Sequence, residues 1–365
     1  MNLHIVPDSK FTSAFYKNLA EANLLGKNKL VVRTNKNKLS FVSEDLPFAP
    51  LYSPKFDRLV GQAQVYDKVF LHQLTPLMYR WVASRAFREL NWMVWGTDLY
   101  NLPFLDYDFH EVETRRYVRK NKFDYRDVLY RLKVYLTNMI FMRKAYSKVD
   151  FVLTWMSSEY EFAKSMLPLT KAGHKFFFYE NQAPYHTLDQ YLGDAARKSK
   201  ISLVIGNSGT PTNNHLDAIH TIQESGLHAD LLIPVSYGEK KYIDFLKKNT
   251  SFYTNGTIEF IDAFMQFPDY IKFLKSADAL VMNHVRPQGY GNIFMMMYLG
   301  KPVILNERNL SLPDLKANGF HWQTLRELGE SRIIRQQNNR ESVKRYLSHD
   351  KLLAAYEELF GPRLG

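Results

Sequence analysis

The sequence predicts an α/β protein of two doubly wound, parallel-sheet domains. Its 365 residues suit two domains at roughly 100–200 residues each. Short β-rich runs recur in two series with helical stretches between them, as βαβ units do. Several runs are almost continuously apolar, which is how strands covered on both faces of a parallel sheet read.

The first series covers residues 30–33, 68–72, 92–95, 150–155 and 175–179. A polar stretch at 184–200, carrying Pro184 and Gly193, interrupts the pattern and is assigned as a linker. The second series covers 201–205, 229–235, 257–261, 279–283 and 302–306. The expected division is an N-terminal domain at 1–183, the linker at 184–200, and a C-terminal domain at 201–340. A helical segment at 341–365 is a candidate to pack back on the first domain. The first sixty residues carry little pattern. Open α/β sheets bind ligands outside the carboxyl ends of their strands, so the functional residues are sought there.

Hydrophobic residues at 45% and aromatics at 15% exclude disorder for most of the chain. The absence of cysteine excludes disulfides, thiolate metal sites and cysteine nucleophiles. No basic region followed by an apolar run opens the chain, and no apolar stretch approaches the ~18–20 residues of a membrane span. A soluble or peripheral, cytosolic protein is expected.

The net charge of +11 is concentrated. Residues 115–148 hold eleven basic side chains against Asp124 and Asp127, a local charge of +9. Residues 126–148 read as an amphipathic helix with Leu129, Leu132, Leu136, Met139 and Ile140 on one face. Arg126, Lys133 and Lys144 flank that face, and Arg115, Arg116, Arg119, Lys120 and Lys122 precede it. This pattern suits an anionic membrane surface; a core helix with a solvated basic edge is the alternative. No nucleic-acid-binding motif accompanies the charge, so no nucleic acid partner is expected.

Several catalytic signatures are missing. There is no G-x-x-x-x-G-K-[ST], and Gly289-Tyr290-Gly291 lacks the third glycine of a dinucleotide fingerprint. Gly206-Asn207-Ser208-Gly209 is not a G-x-S-x-G elbow, and no H-E-x-x-H occurs. Asp106-Tyr107-Asp108 spells D-x-D but follows no clear strand, so no metal site is assigned.

Two turns suit phosphate. The segment from Gly206 through Asn214 joins the strand at 201–205 to a helical stretch, where backbone N–H groups at a helix start attract anions. An ordinary Asn/Ser/Gly turn is the competing explanation. The second turn, Arg286-Pro287-Gln288-Gly289-Tyr290-Gly291-Asn292, lies between the strand at 279–283 and an apolar helix. Its glycines permit close backbone approach, and Arg286 suits a diphosphate. Together they point to a nucleoside-diphosphate site. In the first domain, Asp98 and His72 each end a strand. Either could act as general base, and a structural role is the alternative for both.

The segments WGTDLY, LVIGNSGTPTNNHLDAI, PVSYG and RPQGYGNIFMMMYLGKPVILNERN resemble the bacterial TDP-N-acetylfucosamine:lipid II N-acetylfucosaminyltransferases, the 4-alpha-L-fucosyltransferase-like glycosyltransferases. The resemblance runs from about residue 68 to 310. It implies a GT-B fold, with two Rossmann-like doubly wound domains facing across a cleft. It further implies a thymidine-diphosphate sugar donor and an undecaprenyl-diphosphate-linked acceptor at the cytoplasmic face of the bacterial inner membrane. Enterobacterial common antigen assembly is the family's setting. The first domain would then serve the acceptor and the membrane, the second the nucleotide sugar. Carried over by motif, Asn207, Ser208, Gly209, Asn214, Gln288, Gly289, Gly291, Asn306 and Glu307 become donor-binding candidates. Tyr237, Arg286, Tyr290 and Asn292 join them by their place in the same segments. Asp98 becomes the first candidate for general base and His72 the second.

A metal-free leaving-group site is expected, with backbone N–H groups, a helix dipole and Arg286 opposing the charge on the departing diphosphate. Two other functions stay open at this point. One is a related transferase using another nucleotide sugar and a non-lipid acceptor. The other is a non-catalytic basic protein that binds polyanions or membranes.

Overall fold

The computed structural model describes residues 1–42, 45–102, 105, 107–121, 132, 140–179, 185–193, 200–331 and 334–362. The strands form two sheets, and every pairing within them is parallel. The chain divides into two units. One is Met1–Leu105, Asp124–Asn181 and His349–Gly365; the other is Asp106–Phe123 and Gln182–Ser348.

The first unit carries β1 (Asn2–Pro7), β2 (Asn28–Arg33), β3 (Phe48–Ala49), β4 (Val69–His72), β5 (Leu90–Met93), β6 (Phe151–Thr154) and β7 (Gly173–Phe176). Their order is β3-β2-β1-β4-β5-β6-β7, so the chain reverses direction across the sheet between β1 and β4. In open α/β sheets, ligands bind outside the carboxyl ends of the strands at such a reversal. β1 and β3 were not expected from sequence, yet β1 is central. Its polar residues are accommodated by long-range partners: Asn2 Nδ2 donates to Asn28 Oδ1 at 2.9 Å, and His4 Nδ1 lies 3.1 Å from His72 Nε2. Helix Lys10–Glu21 begins at Ser9, whose hydroxyl accepts from the Phe11 N–H. It buries Phe15 and Leu19 against Phe70, Phe177, Tyr356 and Phe360.

The second unit carries β8 (Ile201–Ile205), β9 (Ala229–Pro234), β10 (Ile258–Ile261), β11 (Ala279–Met282), β12 (Val303–Leu305) and β13 (Gln323–Thr324). Their order is β10-β9-β8-β11-β12-β13, with the reversal between β8 and β11. Leu203, Ile205, Leu231, Ile233, Val281 and Ile304 are buried with Ile219 and Ile222 of helix His215–Ser225.

The unit boundaries differ from the sequence expectation in three places. Residues around 107–121 belong with the second unit, because helix Val112–Asn121 packs on helix His215–Ser225. Asp217 there accepts from the Glu113 N–H at 2.7 Å and the Thr114 hydroxyl at 2.7 Å. The expected linker is in part a short helix, Tyr185–Leu188, whose Leu188 is fully buried, and Tyr298 of the second unit donates to the adjoining Asp189. Residues 184 and 194–199 of the expected linker lie outside the described residues. The second unit also runs on to residue 348, since Arg340 Nε donates to the Tyr298 carbonyl at 3.0 Å. Helix His349–Phe360 then joins the first unit, where Asn28 Nδ2 and Lys68 Nζ bond its last carbonyls.

Candidate functional site

In the second unit both expected phosphate turns leave the sheet at its reversal, at the ends of β8 and β11. Gly289 holds φ +70° and caps helix Tyr290–Tyr298. A Cβ there would fall 2.1 Å from Met282 Cε and 3.4 Å from the Asn207 amide, so the two turns touch at this glycine. The Gly289 carbonyl accepts from Asn292 and Ile293, which places Gly291 in the first turn of the helix. Arg286 Nε donates to Gln288 Oε1 at 3.0 Å, and the Thr212 hydroxyl reaches the same oxygen at 2.8 Å.

Beside the helix start lies a pocket of 260 Å³ walled by Tyr237, Phe264, Phe267, Tyr270, Asn207 and Asn292. Among the described residues, no carboxylate lines it. Tyr237 and Phe264 are 59% and 77% exposed, unusual for rings this large, which makes them ready stacking surfaces. Asn207 Nδ2 donates to the Tyr237 hydroxyl at 3.4 Å. Phe264, Phe267 and Tyr270 were missed in the sequence; aromatics in the loop after β10 and the first turn of helix Phe267–Ser276 were the available signal.

Other donor-site expectations resolve into framework. Ser208 is 2% exposed, and its hydroxyl bonds Asn213 Nδ2 at 3.1 Å. Gly209 is needed for backbone apposition: its N–H donates to the Tyr237 carbonyl at 2.8 Å, and a Cβ would lie 2.3 Å from Ile243 Cγ1. Asn214 is fully buried in the left-handed region at φ +49°. Its amide donates to the carbonyls of Phe109 and Asn283 and accepts from the Glu111 N–H, so no polar atom remains for a ligand. Asn306 is likewise taken, by Glu111, Asn283 and the Arg308 N–H. Tyr290 is buried against Phe294. Glu307 is exposed but faces a separate 680 Å³ groove with Glu111, Asp217, Glu224 and Glu330, surroundings that disfavour a diphosphate. Besides Glu307, the expected residues that keep access to solvent are Asn207, Tyr237, Arg286, Gln288, Gly289, Gly291 and Asn292.

The fold buries both general-base candidates. Asp98 is 1% exposed and its carboxylate accepts three N–H groups: Leu74 at 2.9 Å, Trp92 Nε1 at 2.6 Å and Trp95 at 2.9 Å. Burial raises its pKa above the ordinary range, and those donors work against the rise. His72 is fully buried, with Tyr179 OH at 2.7 Å from Nδ1 and His4 at Nε2. Burial, reinforced by His4 and Arg33, holds its pKa well below 6.5 and keeps the ring neutral. These side chains position the loops after β4 and β5.

The basic stretch is also divided by the fold. Arg115, Arg116, Arg119 and Lys120 lie on a helix of the second unit, whereas Lys144 is exposed on the first. Arg115 pairs with Asp108 and Arg116 with Glu113. Lys122, Arg126 and Lys133, most of the expected 126–148 helix, and Asp106 of the D-x-D lie outside the described residues.

Two parallel-sheet α/β domains of this kind define the GT-B class of glycosyltransferases. Solved structures similar to the chain include sucrose-phosphate synthase from Thermosynechococcus elongatus, with a TM-score of 0.57, 11% identity, and 98% of each chain covered. Anabaena Alr3699/HepE in complex with UDP gives 0.55 at 12% identity, covering 98% of this chain and 99% of that one. A glycosyltransferase from Rickettsia africae gives 0.53 at 11%, covering 98% and 97%. At such identities the likeness shows the fold. The chain belongs to the 4-alpha-L-fucosyltransferase family, glycosyl transferase group 56, whose model matches residues 127–349. The match takes in both phosphate-suited turns and leaves the segment at 95–100 outside.

Proposed function

We propose that this glycosyltransferase moves a deoxy-amino sugar of the N-acetylfucosamine type from a thymidine-diphosphate donor to an undecaprenyl-diphosphate-linked saccharide. The observation that carries the donor half is the contact between an aromatic pocket and the start of helix Tyr290–Tyr298. A flat base fits between Tyr237, Phe264 and Tyr270, and Ile261 and Met265 give a thymine methyl apolar neighbours. The absence of a carboxylate in that lining leaves no strong acceptor for a 2′-hydroxyl, which suits a deoxyribose. A diphosphate beyond the sugar would meet the positive end of helix Tyr290–Tyr298 and the Arg286 guanidinium. HepE, a protein of the same fold, is solved with UDP, which fits a nucleotide-sugar donor here.

The mechanism follows from charge. Breaking the anomeric C–O bond leaves negative charge on the diphosphate and positive character on the sugar. Preorganised N–H groups and Arg286 stabilise the former without a divalent metal in this reading. Activity is accordingly expected to survive EDTA, and a strict metal requirement would overturn that part.

The acceptor half rests on the family. Exposed Arg119 and Lys120 in the second unit and, taken separately, exposed Leu132, Ile140 and Lys144 in the first are residue types that suit an anionic cytoplasmic leaflet. No helix among the described residues is long and apolar enough to cross a membrane, so the association proposed is peripheral. Thermal-shift comparison of TDP, UDP and GDP tests the donor: selective stabilisation by TDP supports the reading, and indifference to all three refutes it.

A further inference from the structure

The carboxyl ends of the strands in the first unit hold a cation with no ion-pair partner among the described residues. Arg33 ends β2, is only partly exposed, and makes one hydrogen bond, from Nη2 to Gln73 Oε1 at 2.6 Å. Its Nε is buried and has no hydrogen-bond partner among the described residues. Asp98 acts on it through the field, while its carboxylate takes the N–H groups of Leu74, Trp92 and Trp95. A guanidinium withdrawn from water without a counter-ion is costly to a fold, and a binding site is one setting that repays it.

A second observation falls on the same spot. Gln73, the first residue beyond β4, holds φ +78°, a strained conformation for a non-glycine residue. In it, the side-chain amide bridges Arg33 and the Thr97 hydroxyl, with Nε2 donating at 3.3 Å. Two residues on, the Thr75 hydroxyl is also buried and without a partner. Backbone strain at Gln73 and a guanidinium with no ion-pair partner among the described residues thus share the strand-end region where an open α/β sheet binds ligands.

We propose that Arg33, set by Gln73, forms an oxyanion subsite that binds a carboxylate or phosphate carried by the sugar acceptor. The assignment to an acceptor rests on the transferase reading; the anion site itself does not. A planar guanidinium with a fixed neighbour presents paired N–H groups to a two-oxygen anion, which a lysine cannot reproduce.

The test follows the Arg33 Nε–H signal in side-chain ¹H–¹⁵N spectra of the full chain, assigned by its loss in Arg33→Lys. Three probes are titrated: methyl glucuronide, methyl phosphate and the neutral methyl glucoside. A saturable shift with an anion and none with methyl glucoside is expected, and the tighter anion tells carboxylate from phosphate. Arg33→Lys, followed through the backbone signals of Gln73 and Thr97, should bind that anion roughly 10–100-fold more weakly. Gln73→Ala should weaken it by about 10-fold with the wild-type backbone spectrum otherwise kept. No saturable shift with either anion, an equal response to methyl glucoside, or unchanged affinity in Arg33→Lys overturns the subsite. TDP titration of the same samples separates the two readings. TDP binding with no anion response overturns the subsite alone, and anion binding without TDP binding overturns the donor reading alone.

Discussion

Asp98→Asn separates a positioning carboxylate from a catalytic one. The buried carboxylate receives the Leu74 N–H and Trp92 Nε1–H on one oxygen and the Trp95 N–H on the other. An asparagine has one acceptor oxygen. Placed toward Leu74 and Trp92, it sets its own NH₂ against the Trp95 N–H; placed toward Trp95, it leaves two donors unmet. Either way at least one buried donor is orphaned, at about 1–3 kcal/mol, and the bonds kept weaken from charged to neutral. The expected loss is about 2–4 kcal/mol, which in a domain of this size lowers Tm by roughly 5–15 °C. The assay is differential scanning calorimetry with transfer kinetics at low temperature, where the variant stays folded. A turnover number within about tenfold of wild type is expected there, against the 10²–10⁴-fold loss that removing a general base causes. An unchanged Tm with turnover lost by more than a hundredfold would refute the positioning role.

Other perturbations reach different parts of the structure. Asn214→Ala removes three buried hydrogen bonds and leaves a non-glycine residue at φ +49°, so a loss of about 2–4 kcal/mol is expected in urea denaturation; less than about 1 kcal/mol would contradict the framework role. Acid should loosen the first unit. Burial pushes the His4 pKa down to about 3 and that of His72 well below 6.5, so the unfolded chain takes up protons the folded one refuses as pH falls through 6.5. Stability should fall by about 3 kcal/mol between pH 7.5 and 5.5, read by the fluorescence of Trp81, Trp92, Trp95 and Trp155; a flat profile would contradict it. Flotation with liposomes should require anionic lipid and weaken with salt, and indifference to lipid charge would return the basic stretch to a solvated edge.

The strands were legible where burial on both faces made them continuously apolar, as at Val69–His72, Ile201–Ile205 and Ala279–Met282. β1 was not, because Asn2 and His4 look like surface residues until Asn28 and His72 arrive from elsewhere in the chain. The glycine turn before helix Tyr290–Tyr298 could be read from spacing, since only a residue tolerant of φ +70° suits it. Amide side chains were ambiguous: Asn207 keeps access to the pocket, while Asn214 and Asn306 are consumed by backbone and framework groups. The same ambiguity hid Arg33, whose isolation is a matter of three-dimensional neighbours. A charge run is continuous only along the chain, and the fold sends Arg119 and Lys144 to different units.

The central claim is that the second unit holds a nucleoside diphosphate between the aromatic pocket and the start of helix Tyr290–Tyr298. Calorimetric titration of TDP into the wild type and Arg286→Ala tests it most directly. Saturable one-to-one binding is expected in the wild type, with affinity reduced roughly 10–100-fold in a folded Arg286→Ala. Absence of TDP binding in the wild type, or equal affinity in the two proteins, would contradict it.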